Sequence, residues 1–138
     1  MSAEHVDAHR PDLTRNQSLV LDTLAGADGP MTAYGILDQL SGEGMRAPQQ
    51  VYRAMEKLQD AGLVHRLESL NAFVACRHDG CAQHETVAFI ICDNCGQTSE
   101  ISDEHLTASL EALTRKRGFS PRTTTIEMRG LCSNCLAA

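Results

Sequence analysis

The sequence predicts an α+β chain built in two parts, and three observations carry that reading. Between Thr14 and Gly62 apolar residues recur at helical spacing in three successive segments. The period then shortens to that of strands, from Val64 to Leu67 and from Phe73 to Cys76. Finally, two Cys-x-x-Cys turns, at Cys92 and Cys95 and at Cys132 and Cys135, bracket a second set of strand and helix signals.

The first helix opens on Thr14-Arg15-Asn16-Gln17, a capping-box pattern in which the threonine hydroxyl accepts from the third amide and glutamine reaches back. Val20, Leu21 and Leu24 follow as its stripe, and Gly26 offers a stop. Thr32 caps the second helix, with Ala33, Ile36, Leu37 and Leu40 as the apolar face and Gly42 and Gly44 at its end. Pro48 suits the first turn of the third, where a missing N–H costs nothing. Val51, Ala54, Met55 and Leu58 form its inner stripe; Gln49, Tyr52, Arg53 and Glu56 form the outer one. Gly62 is placed to take a left-handed cap that folds Leu63 back on Leu58. Two short strands around a turn at Ser69 to Asn71 complete the outline of a winged helix, whose third helix enters a major groove.

Residues 77 to 85, "RHDGCAQHE", read as a hinge. The second part follows as a strand from Val87 to Ile91, a strand from Gln97 to Ile101, a helix from about Asp103 to Arg117 and a last strand carrying Thr124, Ile126 and Met128. The helix is predicted to be apolar along Leu106, Leu110 and Leu113. The domain reading is therefore 1–77 for the winged helix, 78–85 for the hinge, and 86–138 for a small α/β domain that carries both Cys-x-x-Cys pairs.

Composition narrows the function. The net charge is −6 over 138 residues. From Arg10 to Arg77 seven basic residues face eight acidic ones, against five and eight from His78 onward. Binding to nucleic acid must come from a local basic face and not from bulk charge. Tryptophan is absent, so stacking on single strands is a poor expectation. The first twenty residues lack the apolar core of a signal peptide, and the longest strongly apolar run, from Val87 to Cys92, is too short to span a bilayer. The expectation is a soluble cytoplasmic protein whose six cysteines are reduced.

Two Cys-x-x-Cys turns can supply four thiolates to one ion, which suits a structural zinc held by Cys92, Cys95, Cys132 and Cys135. Iron and a thiol redox pair are the competing uses of such spacing. A closed site of this kind would staple a second half of roughly 55 residues, too small to be comfortable alone. Cys76, Cys81, His65, His78, His84, Glu85 and Glu100 remain. If the wing packs near the second half, ligands of sulfur, nitrogen and oxygen type could meet across the hinge. Each also has a plainer role, as a packing histidine, a small apolar filler or a solvated charge. No HExxH, deaminase, Walker or dinucleotide pattern occurs, so catalysis is not expected.

"APQQVYRAMEKLQDAGLVHRLES" resembles the recognition helix and wing of the ferric uptake regulator family of bacterial repressors, and "FIICDNCG" with "CSNC" resembles that family's structural zinc pairs. The likeness runs from about Leu13 to Cys135 and is strongest to the zinc uptake regulator branch. It implies a regulatory zinc on His65, Cys76, His84 and Glu100, and so two zinc ions per chain. It implies a homodimer that binds double-stranded operator DNA of zinc-uptake genes, with no membrane partner and no organic cofactor. Tyr52 and Arg53 match the base-contacting pair, Gln49 and Gln50 lie beside them, and Arg15, Arg46, Lys57 and Arg66 are the phosphate candidates. Iron- and peroxide-sensing relatives carry more histidine where this chain has His84-Glu85-Thr86, while Cys81 and His78 fall outside the pattern. The alternatives are iron or peroxide sensing within the family, or a zinc-buffering or thiol-redox protein with no DNA target.

Overall fold

The computed structural model describes residues 12–77, 86–122 and 124–137. Its first part is three helices, α1 (Arg15–Ala25), α2 (Ala33–Leu40) and α3 (Pro48–Asp60), followed by a hairpin of β1 (Val64–Leu67) and β2 (Ala72–Ala75). The caps are where the side chains dictate them. Thr14 accepts from the Gln17 N–H at 3.2 Å while Gln17 accepts from the Thr14 N–H at 3.1 Å, and Thr32 accepts from Gly35 at 3.0 Å. Gly62 has φ +75 and Leu63 N–H donates to Leu58 at 2.9 Å, closing α3 with the left-handed turn only glycine adopts cheaply. Val20, Leu24, Ile36, Met45, Val51, Met55 and Leu58 fill one core between these helices and the hairpin.

The second part is a three-stranded sheet with β3 (Val87–Cys92) at its centre, β4 (Thr98–Ile101) antiparallel on one side and β5 (Thr125–Gly130) parallel on the other. The helix α4 (Glu104–Lys116) supplies the crossover that a parallel neighbour requires. Asp103 caps it, accepting from the His105 N–H at 3.0 Å, so the helix begins one residue later than the sequence suggested. A short helix α5 (Ser133–Ala137) ends the described chain. The second Cys-x-x-Cys therefore opens a helix, where the sequence pattern suggests only a turn after a strand; one backbone turn serves both descriptions.

The two parts meet through the hairpin. Leu67 of β1 is fully buried with Val87, Phe89 and Ile91 of β3, and Leu70, Val74 and Cys76 pack around them. Alternation along β3 turns these odd-numbered residues to the wing. Ile90, on the other face, is 41% exposed beside Met128 at 50%. The apolar stripe expected on α4 is not buried among the described residues: Leu106 and Leu110 are half-buried and Leu113 is exposed. Polar contacts add to the junction. Arg77 donates to the carbonyls of Ala25 at 3.3 Å and Ala27 at 3.5 Å, at the end of α1, and its own N–H donates to Glu100 Oε2 at 3.0 Å. Among the described residues no helix is long and apolar enough to cross a membrane.

Phe89 is 1% exposed and sits between the wing and the sheet. Phe89→Ala is expected to cost about 3–5 kcal/mol in urea unfolding. It should also loosen His65, whose ring lies 5.6 Å from the Phe89 ring.

Candidate metal centres and nucleic-acid interface

Parallel pairing of β3 and β5 explains why two distant cysteine pairs meet. The register sets Cys92 opposite Gly130, and Asp93 N–H donates to Gly130 at 2.7 Å. The turn after β3 and the turn after β5 thus leave the sheet side by side. Gly96, with φ +79, closes the first turn by donating its N–H to Cys92 at 3.0 Å. One sulfur from each of Cys92, Cys95, Cys132 and Cys135 falls within 4.8 Å of the others, and Cys95 Sγ lies 3.8 Å from Cys132 Sγ. A tetrahedral zinc with sulfurs at about 2.3 Å has ligand atoms about 3.8 Å apart, so the cluster fits that ion.

The thiols are not equivalent. Cys95 N–H and Cys132 N–H donate to Cys92 Sγ at 3.5 and 3.4 Å and hold its thiol down to about 6. Asn94 Nδ2 donates to Cys135 Sγ at 3.3 Å and pulls that thiol down, but the crowded sulfurs of Cys132, Cys92 and Cys95 outweigh it and push Cys135 up to about 11. One sulfur is prepared as a thiolate, and a full set of four needs a cation among them. Asn94, and the ion pair of Arg129 with Asp93 at 2.8 Å, brace the turn from outside. Sequence reasoning did not single these residues out, although Asp93 and Asn94 stand between the two cysteines.

The second cluster lies at the junction of the parts. His65 on β1, Cys76 just past β2 and Glu100 on β4 bring ligand atoms within 4.8 Å of one another, all half-buried. Cys76 Sγ is 3.9 Å from Glu100 Oε1. Imidazole, sulfur and carboxylate are a donor set that suits zinc. His84, the fourth ligand implied by resemblance, lies outside the described residues, as do His78 and Cys81. Cys76 stands in a disulfide here, whereas Cys92, Cys95, Cys132 and Cys135 are free. This departs from the expectation that all six cysteines are reduced. Whether a thiol is oxidised is set by its own reduction potential against that of its surroundings, and the expectation weighed only the surroundings.

The outer stripe of α3 is exposed, and Gln49, Tyr52, Arg53 and Lys57 all stand on it. Tyr52 is 43% exposed and rests edge-on against Phe73 with ring centres 6.4 Å apart. Arg46 is exposed at the foot of the helix. Gln50 differs: its Oε1 accepts from Arg46 N–H at 2.8 Å and Ala47 N–H at 3.1 Å, so its carboxamide oxygen caps α3. Arg15 is tied to Glu43 through the carbonyl at 2.9 Å and the carboxylate at 3.2 Å. Arg66 lies over the Phe73 ring, donates to Asn71 Oδ1 at 3.0 Å and pairs with Glu68 at 3.6 Å. Arg53, Arg46 and Lys57 are thus the readier cations for a nucleic acid, and Arg15 and Arg66 would have to exchange partners.

Comparison with known proteins agrees with this geometry. The zinc uptake regulation protein of Escherichia coli K12 is 38% identical over 136 residues, covering 97% of this chain and 79% of its own. That of Mycobacterium tuberculosis H37Rv is 29% identical over 123 residues, covering 88% and 92%. The holo form of XcZur superposes with a TM-score of 0.81 at 42% identity, covering 95% of this chain and 92% of that one. A zinc uptake regulator complexed with zinc and DNA gives 0.80 at 34%, covering 99% and 91%. The model of the ferric uptake regulator family matches residues 12–129. With the winged helix, the sheet and the paired cysteines all in place, the chain belongs to the ferric uptake regulator family.

Proposed function

We propose that this chain is a zinc-responsive transcriptional repressor that binds operator DNA as a homodimer when zinc-loaded and releases it on zinc loss. The observation that carries the reading is the meeting of His65 and Cys76, from the winged-helix part, with Glu100 from the sheet. The relatives named zinc uptake regulators, one of them complexed with zinc and DNA, support it. We take 1–77, 78–85 and 86–138 as DNA-binding part, hinge and dimerising part. Ile90, Met128 and Leu113 then form the apolar surface that a second copy covers.

The residues divide the work. Cys92, Cys95, Cys132 and Cys135 hold a structural zinc that fastens the chain end to the β3 turn. His65, Cys76 and Glu100, completed by His84, hold a regulatory one, for two per chain. A zinc ion bound there supplies the positive charge that draws both parts into one arrangement. His65 and Cys76 fix the angle of the hairpin, and the hairpin carries α3 with it. Moving such a hinge from mostly open to mostly closed takes roughly 5 kcal/mol of differential binding. A ligand set split between the parts can provide it, because opening separates the ligands. In the closed dimer the two α3 helices enter successive major grooves, where Arg53 can fork onto guanine and Tyr52 can meet a thymine methyl or a phosphate.

Iron or peroxide sensing is the weaker reading, since the described ligands include a cysteine and the segment His84-Glu85-Thr86 carries no further histidine beside His84. A zinc buffer or thiol-redox protein would make no use of the Arg53 face.

Four outcomes test the proposal. Metal counting on protein reduced before loading should give two zinc ions per chain, falling to about one in Glu100→Ala with fold and dimer kept. Loading without reduction of Cys76 should also stop at about one, and full loading of either would contradict the ligand set. Cys132→Ser should lose the structural ion and with it cooperative thermal unfolding of the second part, because binding energy there is folding energy. Arg53→Ala should weaken binding to duplexes selected from a random library by the zinc-loaded protein by about tenfold or more, at unchanged zinc content; unaltered affinity would favour the buffer reading.

A further inference from the structure

We infer that Glu127 is a metal-independent clasp on the wing, and that it sets how readily the junction site fills with zinc. The inference rests on the zinc-responsive reading and adds to it a residue outside the ligand set.

Glu127 is on β5, and both oxygens of its carboxylate reach the turn between β1 and β2. Oε2 accepts from the Glu68 N–H at 2.8 Å and Oε1 from the Ser69 N–H at 3.1 Å, and the Ser69 hydroxyl donates to that same Oε1. Two successive amides and a hydroxyl converge on one anion, the arrangement by which backbone concavities hold carboxylates. Burial pushes the Glu127 carboxyl up, but the Ser69 hydroxyl, the two amides and nearby Arg129 outweigh it and hold it below its ordinary range. The bonds are therefore charge-assisted at neutral pH.

The sheet register gives the clasp its meaning. Phe89 is paired with Glu100 on one side and with Glu127 on the other. Residues in register across neighbouring strands project from one face. The face turned to the wing thus carries a row of carboxylate, phenyl and carboxylate. Glu100 meets the base of the hairpin beside Cys76, and Glu127 grips its tip. His65 lies over the ring between them. Swinging the wing away would break both ends together. Bonds at the tip raise the closed population before any ion is present, and the apparent affinity of a site scales with the fraction of protein in the competent state.

The test compares wild type, Glu127→Gln and Ser69→Ala, all reduced. Glu127→Gln keeps the shape but turns an NH₂ toward a backbone donor. Competition against a chelator should show the junction site of Glu127→Gln weakened about tenfold toward Zn²⁺. The four-cysteine site, unchanged at one ion per chain, reports that the variant is folded. Ser69→Ala should weaken the junction site by less and add little to Glu127→Gln. In the protein holding structural zinc alone, the Ser69 amide should exchange its hydrogen faster in Glu127→Gln. At saturating zinc the variant should recover affinity for the selected duplexes to within about twofold of wild type. A zinc affinity within about twofold of wild type, or an unchanged Ser69 exchange rate, would overturn the inference. So would DNA binding that stays weak at saturating zinc, since Glu127 would then be a plain support of the wing. If wild type binds no duplex at all, the repressor reading fails, while the zinc and exchange comparisons still decide the clasp.

Discussion

The packing of one hairpin on one strand is the constraint from which the rest of this structure follows. Leu67 and Val74 of the wing lie against Val87, Phe89 and Ile91 of β3. That contact is apolar, so it sets how closely the two parts approach but specifies direction only loosely. Direction comes from the polar groups placed around it, which are sparse and come from residues far apart in the chain. His65, Cys76 and Glu100 gather on one side of Phe89 and Glu127 with the wing turn on the other. An apolar pivot flanked by chargeable groups is well suited to a small difference in free energy between two orientations.

β3 also organises the second centre. It is paired on both edges, and its C-terminal end and that of parallel β5 emerge together. The four cysteines are neighbours for that reason alone. One strand therefore links a four-cysteine cluster, proposed to hold the fold, to a mixed cluster at the junction of the parts. The chemistry separates them: four sulfurs leave no position to vary, whereas imidazole, sulfur and carboxylate drawn from three elements come apart when the elements move.

Much of this was legible in the residues themselves. Thr14, Thr32, Pro48 and Gly62 mark helix ends through local hydrogen bonds and backbone freedom, and they do so at the expected places. The paired cysteines are equally local signals. Strand ends shifted by about a residue, as with β2 at Ala72–Ala75, because ladder ends depend on the partner strand and not on propensity. The mixed cluster was visible only as a set of candidate ligands, and family resemblance selected among them; spacing alone left a packing role open for each. Glu127 was invisible, since its partners are 58 and 59 residues away and nothing in the pattern of β5 marks one glutamate as reaching across. The engagement of Arg15 with Glu43 and the use of Gln50 as a cap were hidden for the same reason: exposed polar residues look alike until their neighbours are known.

The central claim is that a single ion is shared by both parts of one chain. Anomalous diffraction at the zinc edge from reduced, zinc-saturated crystals tests it most directly. The account predicts a second peak in each chain bonded at once to His65, Cys76 and Glu100, in addition to the one among the four cysteines. A second peak bonded within one part only, or none at all, would contradict it.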